Sequence, residues 1–198
     1  LLKWGGKVKI MNLAISNIRK SKSATASLFI FILVAALLLN IGLMVITQVS
    51  AFFDSKVEQL KDPHVITMME SSSYNPNYEK FIANYSGVTE TETEEIIIMN
   101  IAKFNFGNSE LASNVAIFNA DDTRSIGALK LIEKLNTSSA NDIFVPYSFK
   151  TNGGYKLGEN FTIHYQEKNY DYRIAGFFET TMMGTTSVGI IKFMLPQS

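Results

Sequence analysis

The chain has 198 residues, no cysteine, and 18 basic against 18 acidic side chains. The lack of cysteine excludes disulfides, Cys-ligated zinc and a thiol nucleophile, and the balanced charge offers no basic surface for nucleic acid. That balance conceals a polarity along the chain: Lys3, Lys7, Lys9, Arg19, Lys20 and Lys22 all precede the first carboxylate, Asp54.

Residues 23–53 carry no charged side chain, and residues 28–46 are almost wholly apolar. A helix of that inner length spans roughly 28 Å, close to the ~30 Å hydrocarbon core of a bilayer. A helix that is apolar on every side predicts a membrane span. Basic residues flanking a span stay in the cytoplasm, so residues 1–23 are expected inside as a leader and the bulk of the chain outside. Within the leader, Leu13, Ala14 and Ile18 suit a short surface helix, although orientation by charge needs no helix. The chain opens on Leu1, and Met11 offers an alternative start.

Val49-Ser50-Ala51 resembles a signal-peptidase site, but the apolar run exceeds the ~7–15 residues of a signal peptide. Val49, Phe52, Phe53, Val57 and Leu60 also continue at helical spacing beyond that site. The reading is a transmembrane helix over residues 24–49 and a helical stalk over 50–62, ended by Asp62-Pro63 because proline disfavours helix in the residue before it. Asn40 and Gly42 fall inside the span. An amide facing lipid is costly, so the two mark a face that packs against another helix.

Residues 63–198 predict an extracytoplasmic α+β domain, one unit or two small subdomains. The expected elements are a strand at 64–69, a turn at 71–77, a helix at 78–85, a β-rich run at 89–106 and a strand at 115–118. A helix capped by Ser125 then runs to Leu135, with Ile126, Leu129 and Ile132 inward. A strand at 143–146 and a glycine turn at 152–154 follow. Phe161, Ile163 and Tyr165, then Tyr170, Tyr172 and Ile174, alternate with polar residues about a turn at Glu167-Lys168-Asn169, which predicts a half-buried hairpin. A last strand falls within 187–195.

Catalytic patterns are absent from the sequence. His64 and His164 are a hundred residues apart with no local partners that would make a metal site or a catalytic triad. No Gly-x-x-x-x-Gly-Lys loop occurs, so this chain is not expected to hold ATP in that manner. Asp121-Asp122 lacks the ligand pattern of a calcium loop and reads as a helix approach. Glu90, Glu92, Glu94 and Glu95 read as a solvated strand edge that discourages aggregation. The expectation is a chain that is not an enzyme, with no catalytic, cofactor or metal residues of its own.

Four short motifs point in one direction. Leu13-Ala14-Ile15-Ser16-Asn17-Ile18-Arg19-Lys20-Ser21-Lys22 resembles the leader before the first span of FtsX-like, MacB-type ABC transporter permeases. Ile143-Phe144-Val145-Pro146, Lys156-Leu157-Gly158-Glu159 and Tyr172-Arg173-Ile174-Ala175-Gly176-Phe177 are similar to three segments of that family's periplasmic core domain, in the same order. Glu159 stands where the family usually has Asp, and Phe144 where Val is common.

The resemblance implies a permease subunit in a bacterial plasma (inner) membrane. Its implied partners are a cytoplasmic ABC ATPase, which binds the ATP, a second permease subunit as a homodimer, and the lipid bilayer. It also implies later spans, so that the chain looks truncated within or just after the outer domain. On that reading Asn17, Arg19 and Lys20 form the end coupled to the ATPase, for export or for mechanotransmission. The rival readings are a single-span, membrane-anchored sensor or binding domain, and a secreted enzyme released by signal cleavage.

Overall fold

The structure, a computed structural model, describes Ser16, residues 21–185, Ser187 and residues 189–197. The chain divides between Phe52 and Phe53 into two units. Helix α1, Lys22–Leu60, contributes residues 22–52 to the first and residues 53–60 to the second.

In the first unit α1 is unbroken and touches no core. Phe31, Leu39 and Ile46 are each about two-thirds exposed or more, at 72%, 68% and 67%. Such a surface is what a lipid environment requires and what water penalises. By length and composition this helix is able to cross a membrane. Thr47 satisfies its own hydroxyl by donating to the Leu43 carbonyl at 3.0 Å.

The end of α1 follows a defined pattern. Lys61 adopts φ 49. Its amide donates to Glu58 O at 3.3 Å, and the Asp62 amide to Val57 O at 3.1 Å. These are the two bonds of a Schellman cap, here with lysine where glycine is usual. Pro63 then prevents continuation. The expected stop at Asp62-Pro63 is the one observed.

Residues 64–69 were expected to be a strand, and they form none: His64 lies in a bend, and Val65 is 80% exposed. A 3₁₀ turn, Ser71–Ser73, leads to α2, Pro76–Ala83, two residues earlier than expected. Asn75 caps it by accepting from the Asn77 amide, and proline occupies its first turn.

The remainder is a mixed sheet. Its strands are β1 Ile97–Phe106, β2 Ser109–Asn119, β3 Lys130–Lys134, β4 Asp142–Pro146, β5 Asn160–Tyr165, β6 Lys168–Glu179 and β7 Ile190–Leu195. A short helix α3, Ser148–Thr151, follows β4. Among the described residues the order is β3-β6-β4-β7-β2-β1-β5, and β5 also pairs with β6, closing a barrel. The pairs β2–β7 and β4–β6 are parallel. The seams β1–β5 and β4–β7 each rest on one residue pair, Lys103 with His164 and Phe144 with Met194.

The barrel interior is aromatic. Phe104, Phe149, Phe161 and Phe193 are fully buried or within 1% of it, with ring centroids 5.3–5.9 Å apart. Val115, Ile117, Ile174, Phe177 and Ile191 are among the other buried members of this core. Alternate residues of the same strands, Ala116, Phe118, Phe178 and Met194, join Met183 in a second core on the opposite face. Strands buried on both faces lose strict alternation, which is why 115–118 and 174–178 read as continuous apolar runs, while 191–194 is interrupted only by Lys192.

Two expectations fail here. Residues 125–135 are not a helix: Gly127 takes φ +62, and residues 130–134 form the edge strand β3 with Ile132 outward. The Ile126 amide, which a Ser125 cap would not reach, donates instead to the Glu92 carboxylate at 2.8 Å. The β-rich run begins at Ile97, because residues 89–96 have no strand partner. The hairpin is as expected except for its turn, which is the two residues Gln166 and Glu167 with φ 48 and 63. That is the two-residue geometry whose twist matches paired strands.

Candidate functional site at the base of the long helix

The last turns of α1 and the residues after it are held to the sheet by polar contacts. Lys56 Nζ lies 2.7 Å from Glu179 Oε1 at the end of β6, and Lys130 Nζ of β3 lies 3.5 Å from the other oxygen. The Lys56 hydrogen bond is the largest effect on the Glu179 carboxyl and, with the charges of Lys56 and Lys130, lowers its pKa although burial opposes them. The Lys61 carbonyl accepts the Gly127 amide at 2.8 Å. Asp62, 8% exposed, accepts the Thr181 amide at 2.6 Å and the Thr181 hydroxyl at 2.7 Å. A carboxylate bound by a backbone N–H and a hydroxyl is a charge-assisted joint, stronger than a neutral bond.

A second cluster lies on the outer face of β2 and β7. Arg124, 7% exposed, pairs with Glu94 at 2.7 Å and donates to the Asn119 carbonyl at 2.6 Å. Lys192, 9% exposed, places its ammonium 4.4 Å from the centroid of the Phe118 ring. Burial lowers the Lys192 pKa and outweighs the favourable charge of Glu94. Glu92 and Glu94 therefore bind the 124–126 loop. They are not the solvated strand edge that the acidic run suggested, because no strand forms at 89–96. Asp121-Asp122 opens a turn rather than a helix, and Asp122 lies 3.9 Å from Arg124.

The three outer-domain motifs meet in space. Asp142, 3% exposed, begins β4 and pairs with Arg173 of β6 at 2.7 Å, while accepting the Ser139 amide at 2.8 Å. Gly158 turns with φ +84, and its amide donates to Ile174 O at 2.8 Å. Glu159 accepts the Lys156 amide at 3.0 Å, a turn-closing role that aspartate would also fill. At Gly176 a Cβ would lie 2.8 Å from Glu133 O and 2.9 Å from the Phe144 ring, so β3 and β4 can flank β6 only if this residue is glycine. The contacts that these motifs make are structural joints between β3, β4, β5 and β6.

Of the residues singled out from sequence, Asn17, Arg19 and Lys20 lie outside the described residues. Asn40 and Gly42 lie on α1, where no described residue bonds the Asn40 amide and nothing stands within 4 Å of a Cβ built on Gly42. His164 lies on β5 with Nδ1 2.6 Å from Asn169 Oδ1, whereas His64 lies in a bend, not in the expected strand. Among the described residues no cluster of three or more His, Asp or Glu is placed to hold a metal. Sequence reading missed Asp62, Glu179 and Thr181 as a joint. The only local signal was Asp before Pro at a helix end, and the partners lie more than a hundred residues away.

No protein-family model and no curated protein matches this chain. Among solved structures it is similar to the extracellular domain of YknZ, a noncanonical ABC-type transporter from Gram-positive bacteria. The TM-score is 0.31 at 11% identity, and the match covers 64% of each chain. The chain thus spans less than two thirds of that domain's length.

Proposed function

We propose that this chain is the amino-terminal part of a permease subunit of an FtsX-like, MacB-type ABC transporter. On this reading residues 1–23 lie in the cytoplasm beside a separate ATPase, α1 crosses the plasma membrane, and residues 63–198 stand outside. The observation that carries the proposal is the unbroken helix from Lys22 to Leu60, which ends in a cap and joint bonded to the sheet. Mechanical coupling through an element shared by two sites needs no catalytic residue in this chain. The leader motif supports the cytoplasmic end of the reading. The side-chain amide of Asn40, which has no partner among the described residues, with Gly42 near it, supports a packing face for further helices or for a second subunit.

Charge-neutral substitution of Asn17, Arg19 and Lys20 together tests it in membranes containing the full-length permease and its ATPase. The expected result is normal insertion with loss of substrate-linked or permease-stimulated ATP hydrolysis. Unchanged stimulation would overturn the assignment of these three residues as the coupling end, and failure of the unsubstituted chain to stimulate the ATPase would favour an anchored sensor domain.

A further inference from the structure

We propose that Asp62 is a catch that holds residues 180–184 closed over the second core, so that withdrawal of the helix base uncovers an apolar face. The inference rests on the permease reading only for what moves the helix. Asp62 accepts from the Thr181 amide at 2.6 Å and the Thr181 hydroxyl at 2.7 Å, while the Thr180 hydroxyl donates its one proton to the Met182 carbonyl at 2.7 Å. The Thr180 hydroxyl also accepts the Met182 amide at 3.2 Å, which fixes the turn. This turn delivers Met183, 5% exposed, into the cluster of Phe118, Phe178 and Met194.

Met183 sits at φ 57, in the left-handed region that a side chain with Cβ disfavours. Such a conformation persists only where the surroundings impose it. Here they are Asp62 on one side and, on the other, Ser148 Oγ donating to Gly184 O at 2.6 Å and the Lys192 amide donating to Met183 O at 2.9 Å. A strained plug held from both sides relaxes when one side is withdrawn. Asp62 directly follows the cap of α1, so movement of that helix is movement of the catch. The product is a surface with Met183 lifted and Phe118 exposed.

The test uses Met183→Cys, since the chain has no other thiol, in the full chain reconstituted in lipid without any ATPase. Asp62→Asn is expected to raise the maleimide-labelling rate at position 183 roughly tenfold or more, with an Ile163→Cys control in the main core unchanged. Hydrogen exchange of Asp62→Asn in the cysteine-free chain gives the same answer should Met183→Cys fail to fold. Acceleration confined to the Thr181 and Lys192 amides supports the catch. No acceleration, or acceleration equal across the sheet, overturns it. Because no ATPase is present, either result leaves the permease reading to its own test.

Discussion

The Lys61 carbonyl accepts the Gly127 amide at 2.8 Å, with both residues at positive φ, 49 and 62. The helix cap and the loop before β3 are thus two left-handed turns bonded to each other. Gly127→Ala puts a Cβ on a backbone that disfavours it and is expected to cost about 1–2 kcal/mol. Lys61→Gly relieves the same strain at the cap, less the greater chain entropy of glycine, for a gain of about 0.5 kcal/mol. Denaturant titration of the chain in detergent reads both, and the opposite signs are the prediction.

Asp142 and Arg173 form a pair in which the carboxylate is 4% exposed and the guanidinium 30%. Arg173→Met leaves a buried carboxylate with only the Ser139 amide and is expected to cost about 3 kcal/mol. Adding Asp142→Leu removes the stranded charge and is expected to recover part of the loss. A double-mutant cycle in denaturant checks this, and additive losses would deny the coupling.

Glu179 has a lowered pKa through Lys56 and Lys130, so its contribution is present above the usual carboxyl value of 4.5 and is lost as pH falls through the lower folded value. Glu179→Gln is expected to flatten that acid limb in a pH series of melting curves. The side chains are about a quarter exposed, so the neutral-pH cost is about 1 kcal/mol or less.

Lys192 shows the reverse sign. Its folded pKa is below 10.5, so the unfolded chain holds the extra proton between the folded value and 10.5, and stability rises with pH across that alkaline interval. Lys192→Met removes the slope and, by removing a charge whose burial outweighs the attraction of Glu94, is expected to stabilise at neutral pH by about 1 kcal/mol. Melting temperature against pH distinguishes the two chains.

The features legible in sequence were those set by local pattern. The charge-free run marks the long helix, Asp62-Pro63 its end, and alternation from Phe161 to Ile174 the hairpin. The failures share a cause. Leu129 and Ile132 fit helical spacing, but Gly127 breaks the backbone and β6 offers an edge to which residues 130–134 pair. The acidic run fits a strand, but Glu92 and Glu94 bind the loop at Arg124 and Ile126, a contact across thirty residues. The joint at Asp62 was invisible for the same reason: its partner is Thr181, and no periodicity links the two. Closure of the barrel through β1 and β5 likewise follows from long-range pairing, Lys103 with His164.

The placement of α1 across the membrane is the claim on which the rest depends. Single substitutions Ser16→Cys and Lys168→Cys in this cysteine-free chain, exposed to a membrane-impermeant maleimide on intact bacteria, test it directly. The account predicts immediate labelling at 168 and labelling at 16 only after permeabilisation. Labelling at 16 in intact cells with protection at 168, or recovery of the 168 site in the medium, would contradict it.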